Sequence, residues 1–108
     1  MAAASKIEAI IGKAGGIAIF SKTDCPYCSR AKGILSAYSG MKPRLQVLEL
    51  NTMGSEGQAI QDALAKKLGK GRVTVPQVFI GGKLVGGCDA LQAAQSNGTL
   101  NKLLEELQ

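Results

Sequence analysis

Segments with helical and with strand character alternate along this chain, and their order restricts the fold more than any other sequence feature. Helices are predicted where apolar residues recur three and four apart, and strands where short apolar runs lie between glycine-rich turns. The predicted helices cover residues 7–14, 26–38, 60–68, 88–96 and 100–107. The predicted strands cover residues 17–20, 44–50, 78–80 and 83–85. The order of elements is therefore αβαβαββαα.

The links between the predicted strands indicate a mixed sheet. The first two strands are joined through a helix, so they are expected to run parallel. The last two flank Gly81 and Gly82, and a Gly-Gly link between short strands is typical of an antiparallel hairpin. The sequence thus predicts an α/β fold in which a mixed four-stranded sheet carries helices on both faces. The length of 108 residues suits a single domain over residues 1–108.

Charge and hydropathy argue against several classes of partner. Lys and Arg number 13 against 8 Asp and Glu, a formal net charge of +5, which suits nucleic acid or a small anionic substrate. There is no basic arm and little aromatic surface for stacking bases, so no nucleic acid is expected. No apolar stretch approaches the about 20 residues that span a bilayer, so no membrane is expected. The N-terminal residues lack secretory features. We expect a cytoplasmic monomer, with a processed organellar form as the open alternative.

A close pair of cysteines, Cys25 and Cys28, forms the pattern Cys-Pro-Tyr-Cys between a predicted buried strand and the first turn of the next helix. In this context the pair predicts a redox site of the thioredoxin type. Cys25 is expected at the N-cap, where free N–H groups and the helix dipole stabilise the thiolate that attacks disulfides. Lys22 adds positive charge nearby, and Asp24 opposes it if it faces the sulfur. Cys25 is therefore the predicted nucleophile, and Cys28, one turn further in, the resolving thiol.

Other roles for the cysteines fit the sequence less well. A zinc site needs about four ligands, and the chain has no His and only one close cysteine pair, so no metal is expected. A structural disulfide across two residues closes too small a loop to constrain the unfolded chain much. The third cysteine, Cys88, is expected to be a small buried residue. Lys66, Lys67 and Lys70 are expected to form a solvated helix face.

Two stretches of the chain together resemble the dithiol glutaredoxin family. They are residues 21–28, SKTDCPYC, and residues 74–89, TVPQVFIGGKLVGGCD. The element order agrees from about residue 7 to residue 107. The resemblance implies a thioredoxin-like fold, with glutathione as co-substrate. It also implies an enzyme that reduces protein–glutathione mixed disulfides and protein disulfides, with Cys25 and Cys28 as its redox-active disulfide. The alternatives are a carrier of a glutathione-ligated [2Fe-2S] cluster and a thioredoxin-type protein disulfide reductase, although the latter's Trp-Cys-Gly-Pro-Cys signature is absent.

The resemblance also implies a glutathione site. Val75 would offer its backbone N–H and C=O to the cysteinyl part of glutathione, and Pro76 would follow a cis peptide bond. The γ-glutamyl end would lie at the helix N-terminus formed by Cys88 and Asp89, since such an N-terminus attracts anions. The implied contacts are Lys22, Tyr27, Arg72, Thr74, Val75, Pro76, Gly87, Cys88 and Asp89.

Arg72 lies where the chain departs from the family's usual pattern. Glutathione carries two carboxylates, and Lys22 and Arg72 are expected to contact one, Arg72 through two parallel hydrogen bonds. Many members of the family carry Gly-Gln-Arg directly before Thr-Val-Pro. Here Arg72 stands in place of Gln, and Val73 stands in place of the Arg that follows it.

Overall fold

The structure, a computed structural model, describes residues 2–107. Its helices are α1 (Ala3–Ile11), α2 (Pro26–Ser36), α3 (Gly54–Lys67), α4 (Cys88–Ser96) and α5 (Thr99–Glu105). Its strands are β1 (Ile17–Ser21), β2 (Leu45–Glu49), β3 (Gln77–Ile80) and β4 (Lys83–Gly86). Short 3-10 turns cover Lys42–Arg44 and Leu50–Thr52. The element order is the predicted one, and the two ends of the predicted domain, Met1 and Gln108, lie outside the described residues.

The four strands form one mixed sheet in the order β2-β1-β3-β4. β1 runs parallel to β2 and antiparallel to β3, and β3 pairs with β4 as an antiparallel hairpin. Gly81 and Gly82, which link the hairpin, have φ angles of 58° and 86°. A type I′ hairpin turn needs positive φ at both central positions, and glycine adopts positive φ without steric cost. The predicted parallel pair and hairpin are thus confirmed.

Helices cover both faces of this sheet. Each face has its own apolar cluster, because successive residues of β1 point to opposite sides. Phe20 lies on one face with α1 and α3, and Ile19 lies on the other with α2, α4 and α5. All five residues of β1 are buried, as expected for an interior strand with helices on both sides. No helix within residues 2–107 is both long and apolar enough to cross a membrane.

Several predicted boundaries need correction, and the largest change is at α3, which begins at Gly54 rather than residue 60. α5 covers Thr99–Glu105 rather than residues 100–107. Apart from α1 and the second helix, the remaining ends differ by at most one residue.

α1 begins at Ala3 rather than residue 7 and ends at Ile11 rather than residue 14. It ends there because the next backbone N–H groups bond three residues back, Lys13 to the Ile10 carbonyl and Gly16 to the Lys13 carbonyl, and Gly15 takes a φ of 71°. The second helix ends at Ser36 rather than near residue 38. The second strand begins at Leu45 rather than residue 44, since Arg44 ends a 3-10 turn.

Candidate active site

The corner between β1 and α2 places Cys25 at the start of a helix. Cys25 is the N-cap, with φ −110° and ψ 112°, and Pro26 occupies the first helical position. Proline suits that position because its missing N–H would have no partner in the helix. The backbone N–H of Cys28 donates to Cys25 Sγ at 3.2 Å. The predicted N-cap is therefore confirmed, and the Cys25 sulfur accepts a hydrogen bond from one of the free amides in the first turn of the helix.

The second cysteine of the pair is enclosed. Cys28 has no exposed surface, whereas Cys25 is partly exposed. Burial, and next the hydrogen bond to the Cys25 sulfur, raise the pKa of the Cys28 thiol to about 11, although Ser21 and the Lys22 backbone act in the opposite direction. Cys28 therefore stays a thiol at neutral pH and can donate a hydrogen bond to Cys25. Both cysteines are free in the structure.

This contrast predicts selective alkylation. At pH 7.5 iodoacetamide is expected to add once per folded chain, at Cys25, because Cys28 has a pKa of about 11 and no exposed surface. Cys88 is also expected to be spared, since burial raises its pKa and only 4% of it is exposed. Intact-mass and peptide mass spectrometry would locate the adduct, and the chain unfolded in guanidinium should take three. Modification of Cys28 at the rate of Cys25 would contradict the prediction.

The segment before β3 lies against the Cys25 sulfur. The Val75–Pro76 peptide bond is cis, as the resemblance implies. The Cys25 thiol donates to the backbone carbonyl of Val75 across 3.8 Å. Gln77 Nε2 donates to the carbonyl of Thr74 at 3.0 Å, and this hydrogen bond holds the same segment in place. The backbone of Val75 is thus held beside the reacting sulfur.

A cavity of about 600 Å³ opens beside this segment. We call it the active-site hollow. It brings together seven of the nine predicted glutathione contacts, namely Tyr27, Thr74, Val75, Pro76, Gly87, Cys88 and Asp89. Its floor includes the N-terminus of α4, where Gly87 is the N-cap and Asp89 lies in the first turn. Tyr27 at its rim is 57% exposed, so a bound molecule could reach the ring directly.

The two remaining predicted contacts line a different cavity. Lys22 and Arg72 lie around a hollow of about 240 Å³ together with Gln61 and Asp62. Gln61 Nε2 donates to the carbonyl of Val73 at 2.9 Å, which holds the loop that carries Arg72. The structure therefore does not bring Lys22 and Arg72 into the active-site hollow, and their predicted contact with glutathione stays a prediction.

Several residues in or beside the hollow are missing from the predicted site, among them Lys70, Leu84 and Arg30. Lys70 is exposed, as expected, but it lies after the end of α3 rather than on its face, and it lines the hollow. Leu84 of β4 also lines it and is 47% exposed. The Arg30 guanidinium lies 5.7 Å from the centre of the Tyr27 ring, within reach of a cation–π interaction. The signal for Arg30 was available, since it follows Tyr27 by three residues on a predicted helix and such residues are neighbours.

The third cysteine, Cys88, is a further buried thiol of the site. Burial raises the pKa of Cys88, while the nearby charge of Arg30 partly offsets that effect. Cys88 is 4% exposed, which confirms that it is a small buried residue. Within the described part of the chain, no group of three or more His, Cys, Asp or Glu side chains is placed to hold a metal ion.

Comparison with known proteins agrees with this geometry. The family model described as Glutaredoxin matches residues 17–85. Glutaredoxin-1 of Rhizophagus irregularis is 41% identical over 102 residues, which cover 94% of each chain. A glutaredoxin of Ricinus communis is 47% identical over 90 residues, which cover 83% of this chain and 82% of the relative.

Solved structures show the same fold. The buckwheat glutaredoxin–glutathione complex superposes with a TM-score of 0.83 at 39% identity, covering 96% of this chain and 88% of the other. Oxidised glutaredoxin 2 of Chlamydomonas reinhardtii gives a TM-score of 0.82 at 41% identity, covering 96% and 92%. The thioredoxin-like fold is thus confirmed. With a free cysteine pair at its expected corner and relatives of this similarity over nearly its whole length, the chain belongs to the glutaredoxin family of thiol–disulfide oxidoreductases.

Proposed function

We propose that this glutaredoxin reduces protein–glutathione mixed disulfides, with Cys25 as the nucleophile and glutathione as the reductant. The observation that carries the proposal is the setting of the Cys25 sulfur. It accepts an amide N–H at the start of α2 at 3.2 Å, and it lies 3.8 Å from the carbonyl of Val75, a residue that lines the active-site hollow. A stabilised sulfur and a cavity for a small substrate therefore meet at one point.

The active-site hollow has the chemistry that glutathione requires. Glutathione is a tripeptide with two carboxylates and one ammonium group. The N-terminus of α4 presents unpaired N–H groups, which favour a carboxylate, and Asp89 in its first turn can pair with the ammonium. Lys70 also lines the hollow and supplies a positive charge. A solved relative, the buckwheat protein, is a complex with glutathione, which supports the same ligand here.

The proposed reaction has two displacements. The Cys25 thiolate attacks the glutathione sulfur of a protein–glutathione disulfide. The new sulfur–sulfur bond forms, and the protein sulfur leaves as a thiolate that takes a proton from solvent. A second glutathione thiolate then attacks the glutathione sulfur on Cys25, which releases glutathione disulfide and restores the Cys25 thiolate. Each step exchanges one disulfide for another, so no further oxidant or reductant is needed.

Protein disulfides require the second thiol. Cys25 attacks the substrate disulfide and becomes linked to the substrate protein. Cys28, which contacts the Cys25 sulfur, then attacks that sulfur and releases the substrate as a dithiol. The resulting Cys25–Cys28 disulfide is reduced by two glutathione molecules.

Replacing Cys28 by serine is expected to separate the two reactions. The Cys28→Ser variant should keep mixed-disulfide reduction within a few-fold of wild type, because that route uses Cys25 alone. Reduction of protein disulfides should fall about 100-fold or more, because nothing else resolves the protein-linked intermediate. Glutathione-coupled assays on one glutathionylated and one disulfide-bonded protein measure both. Equal loss in both assays would contradict the scheme, as would full turnover by a flavoprotein reductase in the absence of glutathione.

Further assignments are proposals of the same kind. We propose a monomer that acts on glutathionylated and disulfide-containing proteins in the cytoplasm. The cytoplasmic location is supported by the free cysteine pair, since free thiols are typical of reducing compartments. Size-exclusion chromatography tests the monomer. The cluster-carrier alternative predicts visible absorption after anaerobic purification, whereas the proposed enzyme should be colourless and fully active.

A further inference from the structure

An exposed cation lies over an exposed aromatic ring beside the active site. The Arg30 guanidinium is 5.7 Å from the centre of the Tyr27 ring, within reach of a cation–π interaction. Both side chains are exposed, Tyr27 by 57%. Among residues 2–107, no Asp or Glu lies within the ion-pair distance of 4.0 Å from Arg30. A guanidinium has five N–H groups, so Arg30 can bind a carboxylate from another molecule while it stays over the ring.

The first turns of α2 place this pair next to the nucleophile. Cys25 is the N-cap and Tyr27 is the second residue of the helix. Arg30 follows three residues later, and residues three apart are neighbours on a helix surface. Tyr27 lines the active-site hollow, whereas Arg30 is not among the residues that line it. The guanidinium therefore lies beside the hollow rather than within it.

The position of Arg30 suits the polypeptide half of a mixed disulfide better than the glutathione half. The carboxylates of glutathione have partners inside the hollow, at the N-terminus of α4 and at Lys70. The substrate protein must bring its sulfur to Cys25, so the residues that flank its modified cysteine must pass over the exposed surface next to Cys25. Pro26, Tyr27 and Arg30 are exposed there. A planar guanidinium on that surface favours a carboxylate.

We propose that Tyr27 and Arg30 form a docking patch for an acidic side chain that flanks the glutathionylated cysteine of a substrate protein. This inference rests on the proposed reduction of mixed disulfides and names the kind of substrate that is preferred. The guanidinium pairs with the substrate carboxylate, and the Tyr27 ring orients the guanidinium. The formal net charge of +5 attracts acidic proteins in general, whereas Arg30 fixes where their carboxylate lies relative to Cys25.

Two glutathionylated peptides test the docking patch. They are identical except that both residues flanking the modified cysteine are aspartate in one peptide and asparagine in the other. At low salt, about 0.02 M, kcat/KM of the wild type should be about fivefold higher for the aspartate peptide. In Arg30→Gln this ratio should fall to about one. A variant that folds poorly or has a less reactive thiol would lose activity on both peptides and keep the ratio.

Lys13→Gln is the matched control. It removes the same charge from the chain, but Lys13 precedes β1 and therefore lies at the opposite end of that strand from Cys25. Its ratio should stay at about fivefold. Arg30→Lys keeps the charge but loses the planar group that lies over the ring, so its ratio should be about twofold. In the wild type the ratio should approach one at about 1 M salt, which screens charges beyond about 3 Å.

Several outcomes would overturn the docking patch. They are an equal ratio in wild type and Arg30→Gln, an equal fall in Lys13→Gln, and a preference that persists at high salt. A higher KM for glutathione in Arg30→Gln with an unchanged peptide ratio would also overturn it, because the guanidinium would then bind glutathione itself.

The same assay separates this inference from the function on which it rests. If the wild type reduces neither peptide, the proposed reduction of mixed disulfides fails, and the docking patch fails with it. If the wild type reduces both peptides with the same kcat/KM, the proposed function stands and only the docking patch fails.

Discussion

Replacing Cys25 with serine is expected to abolish reduction of every disulfide substrate, by about three orders of magnitude or more. A serine hydroxyl is not ionised at neutral pH and does not form a bond to a disulfide sulfur. The loss should be chemical rather than structural, because serine is a favourable N-cap residue. It can therefore replace the sulfur as the acceptor for the backbone N–H of Cys28.

The measurement is a glutathione-coupled assay of wild type, Cys25→Ser and Cys28→Ser, with thermal melting of each variant. The melting temperature of Cys25→Ser should lie within a few degrees of wild type, and Cys28→Ser should keep mixed-disulfide activity. Activity of Cys25→Ser above about 1% of wild type would identify a second attacking thiol and would remove Cys25 from its assigned role.

Replacing Gly57 with alanine is expected to destabilise the fold by at least about 3 kcal/mol. Gly57 is buried in the first turns of α3, where a Cβ atom would overlap the backbone carbonyl of Leu50, with its carbon at 2.8 Å. Leu50 belongs to the core beneath α3 and is 2% exposed. The 3-10 turn that it begins therefore cannot move aside without opening that core.

A loss of this size should lower the melting temperature by more than about 12 °C for a domain of this length. The matched control is Gly33→Ala in α2, where a Cβ would meet nothing within 4 Å. That change should stabilise the protein by about 0.5–1 kcal/mol, because alanine favours a helix over glycine. If Gly57→Ala melted within 3 °C of wild type, the close contact between α3 and the turn at Leu50 would be wrong.

Much of the fold follows from the sequence because the periodic signals are local. Each pattern predicts the element in which it occurs: the apolar stripes predict the helices, the apolar run predicts β1, and the Gly81-Gly82 link predicts the hairpin. The alternation in the second strand also placed Glu49 on the face of Leu45 and Val47, which pack with α2. The end of α1 was missed because both Gly12 and Gly15 can terminate a helix. In the structure the hydrogen bonds of four-residue spacing end at Gly12.

The reactive pair could be predicted, whereas the walls of the site could not. The positions of Cys25 and Cys28 depend only on the corner between β1 and α2, and residues adjacent in the sequence set the geometry of that corner. Lys70 was missed because a lysine after a helix looks solvated. In the structure Gly69 takes a φ of 70° and the Lys70 N–H returns to the Ala65 carbonyl at 2.8 Å, as in a Schellman motif. This turn precedes the loop that carries Lys70 and Arg72 to different cavities.

One atom, the Cys25 sulfur, caps α2 and is also the reacting group in the proposed mechanism. In that mechanism each turnover weakens the start of a helix and then restores it. In a thermodynamic cycle that joins folding to oxidation, any free energy that the cap adds to the reduced form is taken from the tendency of the pair to close. The same contact thus makes the dithiol form more durable and its disulfide a stronger oxidant.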